Sequence, residues 1–416
     1  MRRRPSRLSA SGKAAPARAA VCCAVAIGAG LAAVGCQQAS PGSQLTPSRT
    51  PSATDSSPPS ASRPANSGEA ALIARLSPRQ LAGQRVIWSY KGLTPPADLV
   101  TAIKHGQAAG VIFFGENISS PAQIAGVIRG LEADDRSPDN PVRAPLLLMT
   151  DQEGGDGVIG VKRLPGAPYL AERQIGESAN PVAQARIAGA GAAATLRGVG
   201  MNVNLAPVLD VYRSAGNFID SLGRSYSMNP EVAARLGATF ITAQQRAGVA
   251  ATGKHFPGLG AAGAGIDTDL GPVTIDLPAS TLRSVDELPY RSAVKAGVKL
   301  VMVSWAVYPS LDPARPAGLS AKIVQGELRD RLGFRGVTIT DAIGAGALGA
   351  YGNWANRSAL AAGAGMDLVL CTGTVVRGGP VCVHGIQAGY LDGRLGKASF
   401  RLAVARVLAL RASLAR

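Results

Sequence analysis

The chain has 416 residues, 46% of them hydrophobic, enough to bury the core of one large folded body. Its formal charge of +16 suits anionic surfaces, wall polymers or an acidic sugar. An aromatic content of 4%, with no interleaving of basic and aromatic residues, argues against a nucleic-acid partner, and no cysteine or histidine cluster has metal-ligand spacing, so neither metal nor cofactor is expected.

In chain order, the first segment reads as a leader. Residues 1–18 carry six basic side chains (Arg2, Arg3, Arg4, Arg7, Lys13, Arg18) and no acidic one, and residues 19–35 form an uncharged apolar run. A positive stretch followed by an apolar one is the pattern of a signal peptide. The run ends in Leu-Ala-Ala-Val-Gly-Cys36, which resembles a bacterial lipobox, with Cys36 as the expected lipidated residue and a membrane anchor as the expected partner. A simple transmembrane anchor competes with this, although the run falls just short of the ~20 residues needed to span a bilayer. Either way the body of the protein is expected outside the cytoplasmic membrane. Removing the leader's charges leaves about +10 on the remainder.

Residues 36–68 are dominated by Ser, Pro, Thr and Ala, as in TPSRTPSATDSSPPSASRP, and have almost nothing to bury; the composition predicts a disordered tether. Ordered structure is expected from residue 69, beginning with the helix-like ALIARLSPRQLAGQ, and to continue to residue 416 as one domain, expected to be a monomer.

Eight short apolar runs then alternate with helix-length, alanine-rich segments: Val86–Ser89, Val111–Phe114, Leu146–Asp151, Met201–Ala206, Val249–His255, Leu300–Trp305, Gly336–Asp341 and Asp367–Cys371. Continuous hydrophobicity suits strands buried on both faces, as parallel strands are. Eight such βα units predict an α/β fold of the (β/α)8 TIM-barrel type, with a doubly wound open sheet as the alternative. Polar residues cluster within or just after five of the runs: Thr150-Asp151, Asn202 and Asn204, Lys254-His255, Ser304, and Thr340-Asp341. In a barrel these strand ends are expected to face one mouth. The C-terminal ASFRLAVARVLALR has helical apolar spacing and is expected to pack on the barrel wall.

The densest chemistry lies in residues 251–272, ATGKHFPGLGAAGAGIDTDLGP, which gathers Lys254, His255 and the carboxylates Asp267 and Asp269 around glycine-rich turns. With DQEGG at residues 151–155, MNVNLAPVLDV at 201–211, GRSYS at 223–227, KHFPG at 254–258 and ITDA at 339–342, the chain resembles the N-terminal barrel domain of glycoside hydrolase family 3, in particular its bacterial β-N-acetylhexosaminidase branch. The resemblance runs from Ile73 to the C-terminus, with the motifs in the family's order.

That resemblance implies a retaining glycosidase acting on a carbohydrate, with Asp341 as nucleophile and Asp151, Arg163, Arg224, Lys254 and His255 holding the terminal sugar, N-acetylglucosamine. The important departure from the family lies in the acid/base loop. Where the hexosaminidase branch reads KHFPGHG followed by Asp-Ser-His, this sequence has Leu259 and then Asp267-Thr268-Asp269, so the family's acid/base histidine is missing unless His105 or His384 reaches the site. Asp269, assisted by Asp267, could supply the acid, since two nearby carboxylates raise one another's pKa. Alternatively both organise the loop through Asx turns and the protein binds sugar without cleaving it; a phosphorylase is a third possibility. Cys371 and Cys382 could form a disulfide in an exported protein.

Overall fold

Every apolar run read from the sequence forms a strand in the computed structural model, which describes residues 67–373 and 378–415. The leader, Cys36 and nearly all of the tether lie outside the described residues.

The strands are β1 (Val86–Trp88), β2 (Gly110–Ile112), β3 (Leu147–Thr150), β4 (Val203–Asn204), β5 (Ala250–Phe256), β6 (Leu300–Val303), β7 (Val337–Thr340) and β8 (Val369–Cys371). All pair in parallel, each with its neighbour in sequence, and β1 pairs with β8 through Val86–Val369 and Trp88–Cys371. A bridge between Ile339 and Leu368 joins β7 to β8 and brings the ring round. This is the TIM barrel expected from the sequence.

Alternate residues point into the lumen, where Ile87, Ile112, Met149, Leu205, Met302 and Ile339 belong to one buried cluster. Their outward neighbours, such as Trp88, Val111, Leu148 and Val301, join the larger core beneath the helices. Burial on both faces is why these strands read as unbroken apolar runs. The helices between them begin and end on local signals. Asn180 caps Pro181–Val199 through the Ala183 N–H, and Gly200, at a φ of 98°, ends it in the left-handed conformation that a side chain would resist. Asn229 caps Pro230–Arg246 in the same way.

Three details differ from expectation. The segment read as one N-terminal helix is two, Ser67–Arg75 and Pro78–Gly83, because the Ser77 hydroxyl caps the second and Pro78 cannot continue the first. The C-terminal helix Lys397–Ser413 lies across the bottom of the barrel rather than on its wall. Its Val407 and Leu410 enter the lumen cluster, and the wholly buried Arg411 donates to the carbonyls of Ala144 and Pro145 and to the Gln84 side chain, all just before strands.

The third concerns the polar strand residues. Thr150, Asn202, Asn204, Ser304 and Thr340 do not line the mouth: Asn202 bonds the Leu146 carbonyl and Leu148 N–H, Asn204 the backbone of Gln152, and the Thr340 hydroxyl accepts from the Leu370 N–H. The Asn and Thr side chains stitch strand to strand, and Ser304 bonds the Tyr308 hydroxyl at 3.0 Å, in a buried environment where an unpaired polar group is costly.

Candidate active site

The loops beyond the C-terminal ends of the strands enclose a cavity of about 300 Å³. Asp151, Arg163, Arg224, Lys254, His255, Asp267, Asp269 and Asp341 all line it, so the eight expected site residues, spread over 190 positions of sequence, meet at one place.

One side of the cavity is a buried ionic cluster. Lys254 Nζ lies 2.8 Å from Asp151 Oδ1 and 2.7 Å from Glu153 Oε1, and Arg224 donates to both Glu153 oxygens at 2.8 and 2.9 Å. Burial alone would raise the Glu153 pKa, but Arg224 and Lys254 outweigh it and hold the carboxyl down at about 2. Burial would likewise discharge Lys254, and Asp151 and Glu153 reverse the effect, so its pKa is raised. The result is a fixed array of charged donors and acceptors suited to hydroxyl and amide groups.

His255 is oriented by Asp210. The imidazole Nδ1 is 2.8 Å from Asp210 Oδ2, while Asp210 Oδ1 accepts from the N–H groups of His255 at 3.2 Å and Leu259 at 2.7 Å. With Nδ1 engaged, Nε2 is the nitrogen left to meet a ligand. Arg163 is exposed at the rim, its guanidinium 6.0 Å from the Phe114 ring centre.

The other side of the cavity is acidic. Asp341 follows β7 directly and accepts the Ala342 N–H at 2.7 Å, while Trp305 Nε1 donates to the Ala342 carbonyl at 2.9 Å. The loop carrying Asp267 and Asp269 is pinned to the turn after Asp341. Gly346 N–H donates to the Asp269 carbonyl at 2.9 Å and Ala347 N–H to that of Thr268 at 3.0 Å. Gly346 permits this approach, since a Cβ there would come within 2.4 Å of the Leu270 carbonyl.

Asp267 Oδ1 accepts the Asp269 N–H at 2.9 Å, so the Asx turn considered from sequence is present. It coexists with a perturbed carboxyl: the Asp269 pKa is raised to about 6, first by the surrounding protein and then by the charges of Asp341 and Asp267. The side chain keeps solvent on one side, so the shift reflects partial rather than full desolvation. Neither remaining histidine lines the cavity. His105 bonds the Thr101 carbonyl at the end of helix Ala97–Lys104, and His384 is exposed on helix Gly378–Leu391. Leu259 lines the cavity in the place of the family's second histidine.

Glu153 and Asp210 were missed from sequence, although both fall inside quoted motifs, DQEGG and MNVNLAPVLDV. The signal available was that a cation at a buried strand end requires a carboxylate partner. Cys371 and Cys382 are bonded to each other beside the mouth. No cluster of three or more potential metal ligands occurs among the described residues, and none of their helices is long and apolar enough to cross a membrane.

Comparison with known proteins agrees with this arrangement. The model of the glycosyl hydrolase family 3 N-terminal domain matches residues 79–410. An uncharacterized secreted glycosyl hydrolase of Arthroderma benhamiae is 46% identical over 333 residues, 80% of this chain and 93% of that protein. A beta-hexosaminidase of Thioalkalivibrio sulfidiphilus is 37% identical over 291 residues, 69% of this chain and 77% of that one. Among solved structures, a family 3 beta-N-acetylglucosaminidase from a Paenibacillus species superposes with a TM-score of 0.73 at 32% identity, covering 82% of this chain. This chain spans 63% of the length of that enzyme. A beta-N-acetylhexosaminidase from Beutenbergia cavernae superposes with a TM-score of 0.71 at 28% identity, covering 81% of this chain and 99% of that one.

Proposed function

The chain belongs to glycosyl hydrolase family 3, and from that premise we propose that it removes terminal β-linked N-acetylglucosamine from glycans by a two-step retaining mechanism. The observation that carries this proposal is the meeting of Asp341 and the raised-pKa Asp269 in one cavity with the cluster of Asp151, Glu153, Arg224 and Lys254. The small cavity suits a single terminal sugar, which makes the enzyme exo-acting.

In the first step the Asp341 carboxylate attacks the anomeric carbon while the carboxyl of Asp269 gives its proton to the departing glycosidic oxygen. In the second, the Asp269 carboxylate takes a proton from water as that water attacks the same carbon, releasing Asp341. A retaining pair is held ~5–5.5 Å apart. The pinning of the Asp269 loop to the turn after Asp341 supports that spacing. Asp267, through its bond to the Asp269 N–H and through its charge, keeps Asp269 placed and helps raise its pKa. Asp269 is thus the replacement for the family's acid/base histidine.

The test is release of p-nitrophenol from its β-N-acetylglucosaminide by the purified protein, alongside Asp341→Ala. Turnover that disappears in the variant is expected. Binding of N-acetylglucosamine without turnover in the parent would make the protein a sugar receptor, and a requirement for inorganic phosphate would make it a phosphorylase.

Export is part of the proposal. The basic and apolar leader and the secreted description of the Arthroderma relative support it. We assign residues 1–35 as the leader, 36–68 as the tether and 69–416 as the catalytic domain, with Cys36 as the lipidated residue and the domain acting as a monomer at the outer face of the membrane. Metabolic labelling with palmitate, lost in Cys36→Ala, tests the anchor.

A further inference from the structure

A second cavity, of about 310 Å³, opens beside the first and shares Phe114, Asp269, Ala342 and Thr372 with it. The sugar-holding residues Asp151, Arg224, Lys254 and His255 line only the first. The division has a chemical meaning if Asp269 is the general acid, because that acid must stand beside the oxygen joining sugar to leaving group. We infer that the second cavity receives the leaving group and selects an apolar one, such as an alkyl or aryl aglycone, over a second sugar; this rests on the glycosidase function proposed above.

The chemistry of the wall supports the choice. Tyr90, Phe114, Leu270 and Ala345 supply most of it. Tyr90 is almost wholly buried behind this wall, with its hydroxyl beneath the surface. Ser89 lies at the cavity with its hydroxyl already committed to the Cys371 carbonyl at 3.0 Å. Apart from Asp269 itself, the side chains among the described lining residues that remain to meet hydroxyl groups are Thr372 and the exposed Glu116. A sugar entering here would leave several of its hydroxyls without partners, which a wall of carbon discriminates against.

The wall is also built rather than incidental. Asn117 Nδ2 donates to the carbonyls of Tyr90 and Gly92, both at 2.9 Å, tying the loop after β1 to the loop after β2. Leu270 faces solvent over most of its surface, and its backbone is held by the Asp267 carbonyl at 3.1 Å. An exposed leucine directly after the acid is the specificity-determining residue in this account, since an apolar leaving group would cover it.

Calorimetric binding to Asp341→Asn, which leaves ligands intact, provides the test. The probes are the methyl and hexyl β-N-acetylglucosaminides and the β-1,4-linked N-acetylglucosamine disaccharide. The hexyl glycoside is expected to bind about tenfold or more tightly than the methyl one, and more tightly than the disaccharide. Adding Leu270→Ser, a change at an exposed side chain, should shrink the hexyl-to-methyl ratio several-fold, whereas Leu270→Met should keep it. Equal affinities for hexyl and methyl, or tighter binding of the disaccharide, would overturn the inference. Binding of none of the three would instead remove the glycosidase reading beneath it, a result recognisably different from equal affinities.

Discussion

Glu153 holds the Arg224 guanidinium with both carboxylate oxygens, at 2.8 and 2.9 Å, while its Oε1 also lies 2.7 Å from Lys254 Nζ. One buried carboxylate therefore bridges two buried cations, Lys254 from β5 and Arg224 from a loop. Replacing it with alanine strands Arg224 and leaves Lys254 with Asp151 alone, and the expected loss is about 3–5 kcal/mol in urea unfolding. The pH dependence follows from the depressed pKa. Its contribution is present above the unfolded value of 4.5 and is lost as pH falls toward about 2. Acid destabilisation across that window should be smaller in Glu153→Gln than in the parent.

Asp269 must be protonated to act as the acid, and its pKa of about 6 is raised by its surroundings and by Asp341 and Asp267. The plot of kcat/KM against pH should therefore fall on an alkaline limb centred near 6. Asp269→Asn should abolish that limb and lower the rate on an alkyl glycoside by about 10²–10⁴-fold. A p-nitrophenyl glycoside needs less protonation of its leaving group and should suffer less. An alkaline limb that persists in Asp269→Asn would assign the acid elsewhere.

Gly346 lets the turn after Asp341 touch the loop that carries Asp269. Adding a methyl in Gly346→Ala puts a carbon within 2.4 Å of the Leu270 carbonyl, so the loop must shift. Displacements on the 1 Å scale cost up to ~10²-fold in rate. We expect kcat to fall at least tenfold, while affinity for N-acetylglucosamine, measured by calorimetry, stays within about twofold because the ionic cluster is untouched.

Asp210 accepts three N–H groups, two from His255 and one from Leu259. Asp210→Asn removes the charge that fixes the imidazole and turns part of the acceptor into a donor. Hydrogen bonds to charged groups contribute about 1.5–3 kcal/mol, so KM should rise roughly 10- to 100-fold. A matching fall in kcat alone would point to a role in the chemical step.

The barrel was legible because burial on both faces writes itself as continuous apolar runs, and every run became a strand. The charged residues of the cavity were legible through their motifs, which put Lys254, His255 and Asp341 at strand ends. Polarity at a strand end proved ambiguous: Asn202, Asn204 and Ser304 look like site residues in a linear string, yet the asparagines satisfy backbone between strands and Ser304 the buried Tyr308 hydroxyl. Partnership was the part least visible. That Glu153 serves Arg224 and Lys254 together, or that Asp210 turns His255, depends on contacts 45 to 101 residues apart in sequence. The position of the last helix was equally hidden, because a helix packed on a wall and one lying across a floor show the same apolar stripe.

That last helix gives the domain a particular order of assembly. Val407 and Leu410 complete the lumen, and Arg411 ties together the approaches to β1 and β3, more than 260 residues earlier in the chain. Contacts of such separation carry a high closure entropy and slow folding. The earliest strands thus wait on the last seventeen-residue helix for their interior to be sealed.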